Sequence, residues 1–359
     1  MLEEQLNQLY EGYGYRKFRM SKFEDYDLYA QNKDFLKKGH IITFTDVDGS
    51  LKALKPDITL SIIKNNSGDS EKVYYNENVY REMGGTFKEI LQVGVESVGQ
   101  IDPYAEAEVI ALAAKSLEIL SEDYVLDLSD VSFIRCLLGG MNLSQRDQEQ
   151  ALTLISQKNA PGIQAMADRG ILSAQDAQAI QELMGIYAPL KEGIAQAGRL
   201  ARDNQSWEIL RQLSVTASML EAFGLNGRIR LDFSLVNSMD YYNGVIFQGF
   251  LPNIPFPALS GGRYDNLPRK MGKQVGAIGF ALYMGRLEQY FSQERQYDAE
   301  VLLTYGPDAD LAKLAAFAEQ IRAKGCTVRC EREMGPSAPV RCRTKVRYYD
   351  GLRPEEVSL

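Results

Sequence analysis

Three short stretches carry side chains that could hold a small charged ligand. In Gln92-Val93-Gly94-Val95-Glu96 the polar residues recur at every second position. On a β-strand that spacing puts Gln92, Gly94 and Glu96 on one face, the glycine leaving room between an amide and a carboxylate. Asp57 and Thr59 are also two apart. On a strand they share a side, where a carboxylate and a hydroxyl can accept hydrogen bonds from an ammonium. Asp57 is equally suited to cap a helix starting just after it. Tyr241-Tyr242 and Arg263-Tyr264 add phenols and a guanidinium, and Arg81 ends an alternating stretch that begins at Val73. This is equipment for holding a small polar ligand, with acceptors for an amine among it.

A sheet must position these groups. Val73 to Arg81 reads as a strand and Phe87 to Gly99 as its antiparallel partner. Ile229, Leu231, Phe233 and Leu235 alternate with Arg228, Arg230, Asp232 and Ser234, a half-buried strand. Asn243-Gly244 then supplies the positive φ angles of a tight hairpin turn, and Val245-Ile246-Phe247 starts the returning strand. Gly261-Gly262 permits close backbone approach, and Gly276 and Gly279 lead through Phe280-Ala281-Leu282 into a helix from Tyr283 onward.

The remaining segments follow the same rules. Leu2, Leu6, Leu9, Tyr10 and Tyr13 mark an amphipathic helix, and Ala105 to Leu120 another, with Val109, Leu112, Ala113 and Leu117 on its buried stripe. His40 to Thr45 and Leu51 to Leu54 flank Asp48-Gly49 as a β-hairpin. Asp46-Val47-Asp48-Gly49-Ser50 also opens like a calcium loop, but Asp57 stands where the closing glutamate belongs. Residues 129–224 are helical, with breaks at Gly139-Gly140, Pro161-Gly162 and Gly170, and Ser173 to Asp176 reads as a capping box. A strand over 298–305, a helix over 311–324 and a strand from Cys326 to Cys330 form a parallel α/β unit, and the basic tail beyond reads as a solvated surface.

Composition narrows the function. The chain has 359 residues, 45% hydrophobic and 25% charged, and a net charge of −8, which disfavours a nucleic-acid partner. It holds four cysteines without a CxxC pair and one histidine, His40, so no metal is expected. There is no apolar run of about 18 residues and no signal pattern after Met1, so the reading is cytoplasmic, without a membrane partner.

The order Asp240-Tyr241-Tyr242-Asn243-Gly244, Ser260-Gly261-Gly262-Arg263-Tyr264-Asp265 and Gly279-Phe280-Ala281-Leu282 resembles the second half of the histidyl-tRNA synthetase catalytic domain, a class II synthetase fold. Leu54 to Leu60 is similar to that family's amino-acid-binding segment, Arg81 falls on its motif 2 arginine, Gln92 and Glu96 match its histidine-binding strand, and Arg286 falls on its motif 3 arginine. The resemblance covers about residues 10 to 290. It implies an α+β fold: an antiparallel sheet flanked by helices in a 1–295 domain, a helical insertion at 129–224, and a small α/β domain at 296–359. It also implies a histidine site formed by Asp57, Thr59, Arg81, Gln92, Glu96, Tyr241, Tyr242, Arg263 and Tyr264.

Departures from the synthetase pattern point to a branch of the family. Asn237 stands where synthetases carry the arginine that contacts the substrate carboxylate, and Tyr283 replaces a small motif 3 residue. The segment between Arg81 and Gln92 is short and lacks the arginines that grip nucleotide phosphates. Such a chain looks like the synthetase-like regulatory subunits of ATP phosphoribosyltransferase. That resemblance implies no catalysis and no cofactor, a short-form catalytic subunit as partner, a homodimer within a larger hetero-oligomer, and L-histidine as feedback effector. A divergent histidyl-tRNA synthetase and an RNA-binding paralogue are the alternatives.

Overall fold

The computed structural model describes residues 2–36, 40–225, 227–236, 241–291, 297–333 and 340–354. The chain divides into two units, Met1–Leu287 and Glu288–Leu359.

The first unit is built on a nine-stranded sheet. Its strands are β1 (Arg16–Lys17), β5 (Glu71–Met83), β6 (Thr86–Gly99), β7 (Val125–Asp130), β8 (Tyr187–Pro189), β9 (Ile229–Asp232), β10 (Val245–Phe250), β11 (Leu259–Arg263) and β12 (Gly276–Leu282), in the order β1-β5-β6-β12-β11-β10-β7-β9-β8. β1 with β5 and β7 with β9 are parallel; the other pairs are antiparallel. This is the α+β architecture that the resemblance implied.

Opposed residues in an antiparallel pair point the same way, so the register sorts the sheet into two faces. Tyr74, Val95, Phe280, Phe247 and Leu128 form one row, interrupted by Gly261, whose missing side chain makes space for the Phe280 Cβ and the Phe247 ring. This face is apolar and lies in the core with residues of the helices Leu2–Gly12 and Pro103–Leu120. The neighbouring row, Val73, Glu96, Gly279, Gly262, Ile246 and Ser129, belongs to the opposite face. Only part of that face is covered, by Ile58, Leu60, Ile62 and Ile63 on and just before the helix Thr59–Asn65.

Helix starts follow local chemistry. Asp102 accepts from the Ala105 amide at 2.8 Å, with Pro103 in the first turn. Asp130 accepts from Ser132 and Phe133 at 2.7 and 3.1 Å, where β7 passes into the helix Val131–Gly139. Ser173 accepts from the Asp176 amide at 3.0 Å, as the capping-box pattern predicted. Between β7 and β9 the chain is helical as expected, except that β8 interrupts it to complete the edge of the main sheet. The insertion contributes Ile155, Ile163, Ile180 and Leu213 to the same core as the sheet.

Two expectations fail. No hairpin joins β9 and β10, because β7 lies between them, and neither Asn243 nor Gly244 has positive φ. Asn243 instead binds the end of β11: its amide donates to Arg263 O at 2.9 Å, and its side-chain carbonyl accepts from the Asp265 amide at 2.7 Å. Nor do Asp57 and Thr59 lie on a strand, since Thr59 is the first residue of a helix. The expected hairpin at Asp48-Gly49 does form. In it β3 (Thr43–Thr45) and β4 (Leu51–Leu54) pair antiparallel, with Gly49 at φ +84° and β2 (Phe23–Asp25) alongside β4.

In the second unit β13 (Ala299–Tyr305), β14 (Val328–Arg332) and β15 (Cys342–Tyr348) are parallel in the order β14-β13-β15. Leu314, Phe317 and Ile321 of the helix Leu311–Arg322 pack on Val301 and Leu303. The basic tail, read from its charge as solvated surface, supplies β15. There Arg343, Lys345 and Arg347 are exposed and alternate with partly buried Thr344 and Val346. No described helix is long and apolar enough to cross a membrane.

Candidate ligand-binding site

A cavity of about 930 Å³ opens on the polar face of the main sheet. Its wall includes Asp57, Thr59, Arg81, Gln92, Glu96, Tyr241, Tyr242 and Tyr264, so all the expected site residues meet there except Arg263.

Glu96 is 2% exposed and is the centre of the wall. The Thr59 hydroxyl donates to its Oε1 at 2.8 Å, and the Tyr264 hydroxyl donates to its Oε2. On the neighbouring strand a side chain at Gly279 would overlap Oε2, so only glycine fits opposite this carboxylate. Burial pushes the Glu96 carboxyl up to about 8, the two hydroxyl hydrogen bonds opposing the rise and Asp57 reinforcing it.

Asp57 combines both roles that its sequence left open. Its Oδ1 accepts from the Leu60 amide at 2.9 Å in the first turn of the helix that carries Thr59, while Oδ2 lies 3.6 Å from Arg81 Nη2. Arg81 also donates Nε to the Pro56 carbonyl at 2.6 Å. The helix start thus places Thr59 under Glu96, and Asp57 anchors Arg81.

The room expected beside Gly94 is filled from within. Tyr75 stands directly opposite it, with the hydroxyl 2.6 Å from where a methyl would be, and donates to Phe280 O at 3.3 Å. Tyr75 itself lines the cavity, a wall residue the sequence reading missed. The available signal was cross-strand, a large side chain paired with a glycine. Tyr241 packs against Tyr242, Tyr264 and Phe35, with ring centroids 4.7, 5.4 and 5.9 Å away. Burial holds the phenols of Tyr75, Tyr241, Tyr242 and Tyr264 protonated well above their ordinary range.

Arg263 is absent from this wall. Adjacent residues of a strand point to opposite faces, so Tyr264 and Arg263 separate. Arg263 Nε binds Asp265 Oδ2 at 3.0 Å and Nη1 lies 3.6 Å from Glu106 Oε2, on the helix Pro103–Leu120. Elsewhere in the wall the Tyr283 hydroxyl hydrogen-bonds Ser260, and the Arg286 guanidinium lies 3.9 Å from the Phe256 ring centroid. Asn237 lies outside the described residues. β5 and β6 stay paired to Met83 opposite Thr86, so they are joined by a two-residue turn, Gly84-Gly85, at φ +60° and +78°.

A largely antiparallel sheet, two long strands joined in a hairpin, and a polar cavity on the face away from the main helical core define a class II aminoacyl-tRNA synthetase-like protein. A family model described as Histidyl-tRNA synthetase matches residues 1–287, and the chain belongs to that family. Among curated proteins, the ATP phosphoribosyltransferase regulatory subunit of Acetivibrio thermocellus is 28% identical over 291 residues, covering 78% of this chain and 69% of the relative. Two solved structures share the fold. A protein from Bacillus halodurans described as an ATP phosphoribosyltransferase regulatory subunit/histidyl-tRNA synthetase aligns with a TM-score of 0.81 at 22% identity, covering 96% of this chain and 92% of that one. The ATP phosphoribosyl transferase complex of Thermotoga maritima aligns with a TM-score of 0.64 at 16% identity, covering 79% of this chain and 96% of that one.

Proposed function

We propose that this chain is the non-catalytic regulatory subunit of an ATP phosphoribosyltransferase, the enzyme of the first step of histidine biosynthesis. It works with a short-form catalytic subunit and binds free L-histidine as the feedback effector. The observation that carries this reading is the contrast within the candidate site. One end of the cavity holds a hydrogen-bonded polar cluster of Glu96, Thr59, Tyr264 and Asp57, while the β5–β6 hairpin, which must grip nucleotide phosphates in a working synthetase, closes in a bare Gly84-Gly85 turn. Phosphates need several amides or cations around them; the only cations that the strands of that hairpin carry close to its turn are Arg81, which is engaged by Asp57 and Pro56, and Lys88 opposite it. The names of the curated relatives and of the structural neighbours support the same role.

Histidine enters as a ligand with an amine, a ring with two nitrogens and a carboxylate. Asp57 accepts from the amine, Glu96 and a tyrosine hydroxyl take the ring, and Gln92 completes the wall. Feedback follows if histidine binds the inhibited assembly better than the active one. A homodimer organised about a two-fold axis is the form in which such a chain recruits catalytic subunits.

Co-expression with a short-form catalytic subunit tests the reading. The two chains should co-purify, phosphoribosyl transfer should require both, and histidine should inhibit the pair. Histidine-dependent ATP–pyrophosphate exchange by the isolated chain would instead establish a divergent synthetase, and tight tRNA binding without exchange an RNA-binding paralogue.

A further inference from the structure

Glu96 is a buried carboxylate to which the protein supplies no cation. Its two oxygens accept from Thr59 and Tyr264, both neutral donors. The titratable groups around it are Asp57 before the Thr59–Asn65 helix, Tyr15 beside β1, Tyr75 on β5, Tyr241 and Tyr242 ahead of β10, and Tyr264 after β11. All are acidic or neutral. Among the described residues no lysine or arginine pairs with Glu96; Arg81 is held by Asp57 and Pro56 O, Arg263 faces Glu106 and Asp265, and of the other cations lining the cavity, Lys33 and Arg286, the second lies over the Phe256 ring. Enclosing an ionised carboxylate without a counter-charge is costly, so the empty site holds Glu96 as the neutral acid, and a cation beside it is what would let it ionise. Here β12 gives up a side chain at Gly279 to make space for that carboxylate, which borders a cavity wide enough for a ligand. The geometry is that of an ion pair with one half missing.

We infer that the cavity takes its ligand's ring as a cation, an imidazolium docked on the Glu96 carboxylate. The inference rests on the histidine reading and adds the protonation state in which the ring is recognised. Free histidine is mostly neutral at its ring above about pH 6.5, while in the empty cavity burial keeps a proton on Glu96 up to about 8. On binding, the Glu96 O–H bond breaks and an N–H bond forms at the bare ring nitrogen. The carboxylate then accepts a charge-assisted hydrogen bond from that N–H. One proton moves from protein to ligand, and near neutral pH none is exchanged with solvent.

Ring-¹⁵N-labelled histidine reads this directly, because both nitrogens of an imidazolium are protonated whereas a neutral ring has one protonated and one bare nitrogen. The spectrum should be recorded at pH 8 with the full chain, alone and in complex with its catalytic subunit. Only the ligand carries label, so His40 adds no signal. The expected result is an imidazolium spectrum for the bound ring at a pH where the free ring is neutral. A neutral-tautomer spectrum from tightly bound histidine would overturn the inference and leave the histidine reading standing. Absence of a bound signal from both samples at millimolar ligand would overturn that reading and the inference with it.

Two further arms hold the result in place. 1,2,4-Triazolylalanine keeps the shape of histidine but its ring stays neutral, so it should bind more than about tenfold more weakly; equal affinity would overturn the inference. Glu96→Gln should lose the imidazolium spectrum and weaken histidine by about tenfold or more, and an imidazolium spectrum retained in this variant would overturn it. Should Glu96→Gln fail to fold, the wild-type spectrum and the analogue decide.

Discussion

A glutamate lies on each side of the main sheet, Glu96 buried and Glu106 largely buried, and the two are handled in opposite ways. Glu106, on the helix Pro103–Leu120, lies near the Arg263 guanidinium and accepts from the Thr216 hydroxyl at 3.2 Å. Burial still pushes it up to about 7, helped by Asp130 and opposed by Arg263. Glu96, on the cavity side, has two hydroxyl donors, no cation among the described residues, and is pushed up to about 8. The carboxylate that is paired within the protein belongs to the scaffold. The one left without a counter-charge borders the space where a ligand fits. The companion of a buried charge therefore says more about function than its burial does.

The pH profile is the largest expected test of this contrast. Both glutamates hold their protons in the folded chain beyond the value of about 4.3 expected when unfolded. From there up to about 7 for Glu106 and about 8 for Glu96 the folded state binds more protons, so stability falls as pH rises through that window. Each pH unit over which a proton is so held is worth about 1.4 kcal/mol. Urea unfolding at closely spaced pH values should show the decline, and Glu96→Gln should remove the part between about 7 and 8. A flat profile would mean that neither glutamate is held protonated.

Substitution of Arg263 separates scaffold from site. Arg263→Met leaves Glu106 and Asp265 without their cation and should cost about 3 kcal/mol in chemical denaturation. Histidine affinity measured by calorimetry should stay within about threefold, since this side chain lies on the other face. A loss of affinity larger than the loss of stability would put Arg263 back in the site.

Gly279→Ala attacks the opposite side. The added methyl overlaps Glu96 Oε2, so the carboxylate must leave its hydroxyl donors, at a cost of about 2 kcal/mol and with loss of histidine binding. Unchanged calorimetric titrations for this variant would show that Glu96 does not need its observed position.

The smallest effect concerns the helix that carries Thr59. The Lys273 ammonium donates to the carbonyls of Ile63, Lys64 and Asn66 at that helix's C-terminal end. Lys273→Ala should therefore cost about 1 kcal/mol. Faster amide exchange should appear over residues 59–66 and not in β12.

Much of this was legible from alternation. Gln92 and Glu96 fall on the cavity face because period two puts them there, and the Asp48-Gly49 turn follows from glycine's freedom at positive φ. The same rule, applied across the boundary of β11, separates Arg263 from Tyr264, although residue types alone grouped them. Asn243-Gly244 misled for a different reason. A strong turn signal is outvoted when the Asn243 side chain and backbone are both taken by the β11 end, as local propensity yields to tertiary context.

By itself, the sequence determined the long central strands, the capped helices and the candidate polar residues, because those properties depend on neighbours a few positions apart. The tertiary structure decided which of them meet and how they are charged. Glu96 and Tyr264 are 168 residues apart, Thr59 and Glu96 are 37 apart, and Arg263 meets Glu106 from a different element. Cross-strand register and burial, both set by distant segments, fix whether a carboxylate is paired, capped or left facing a cavity. That is why a list of polar residues became a site only after the sheet had closed around it.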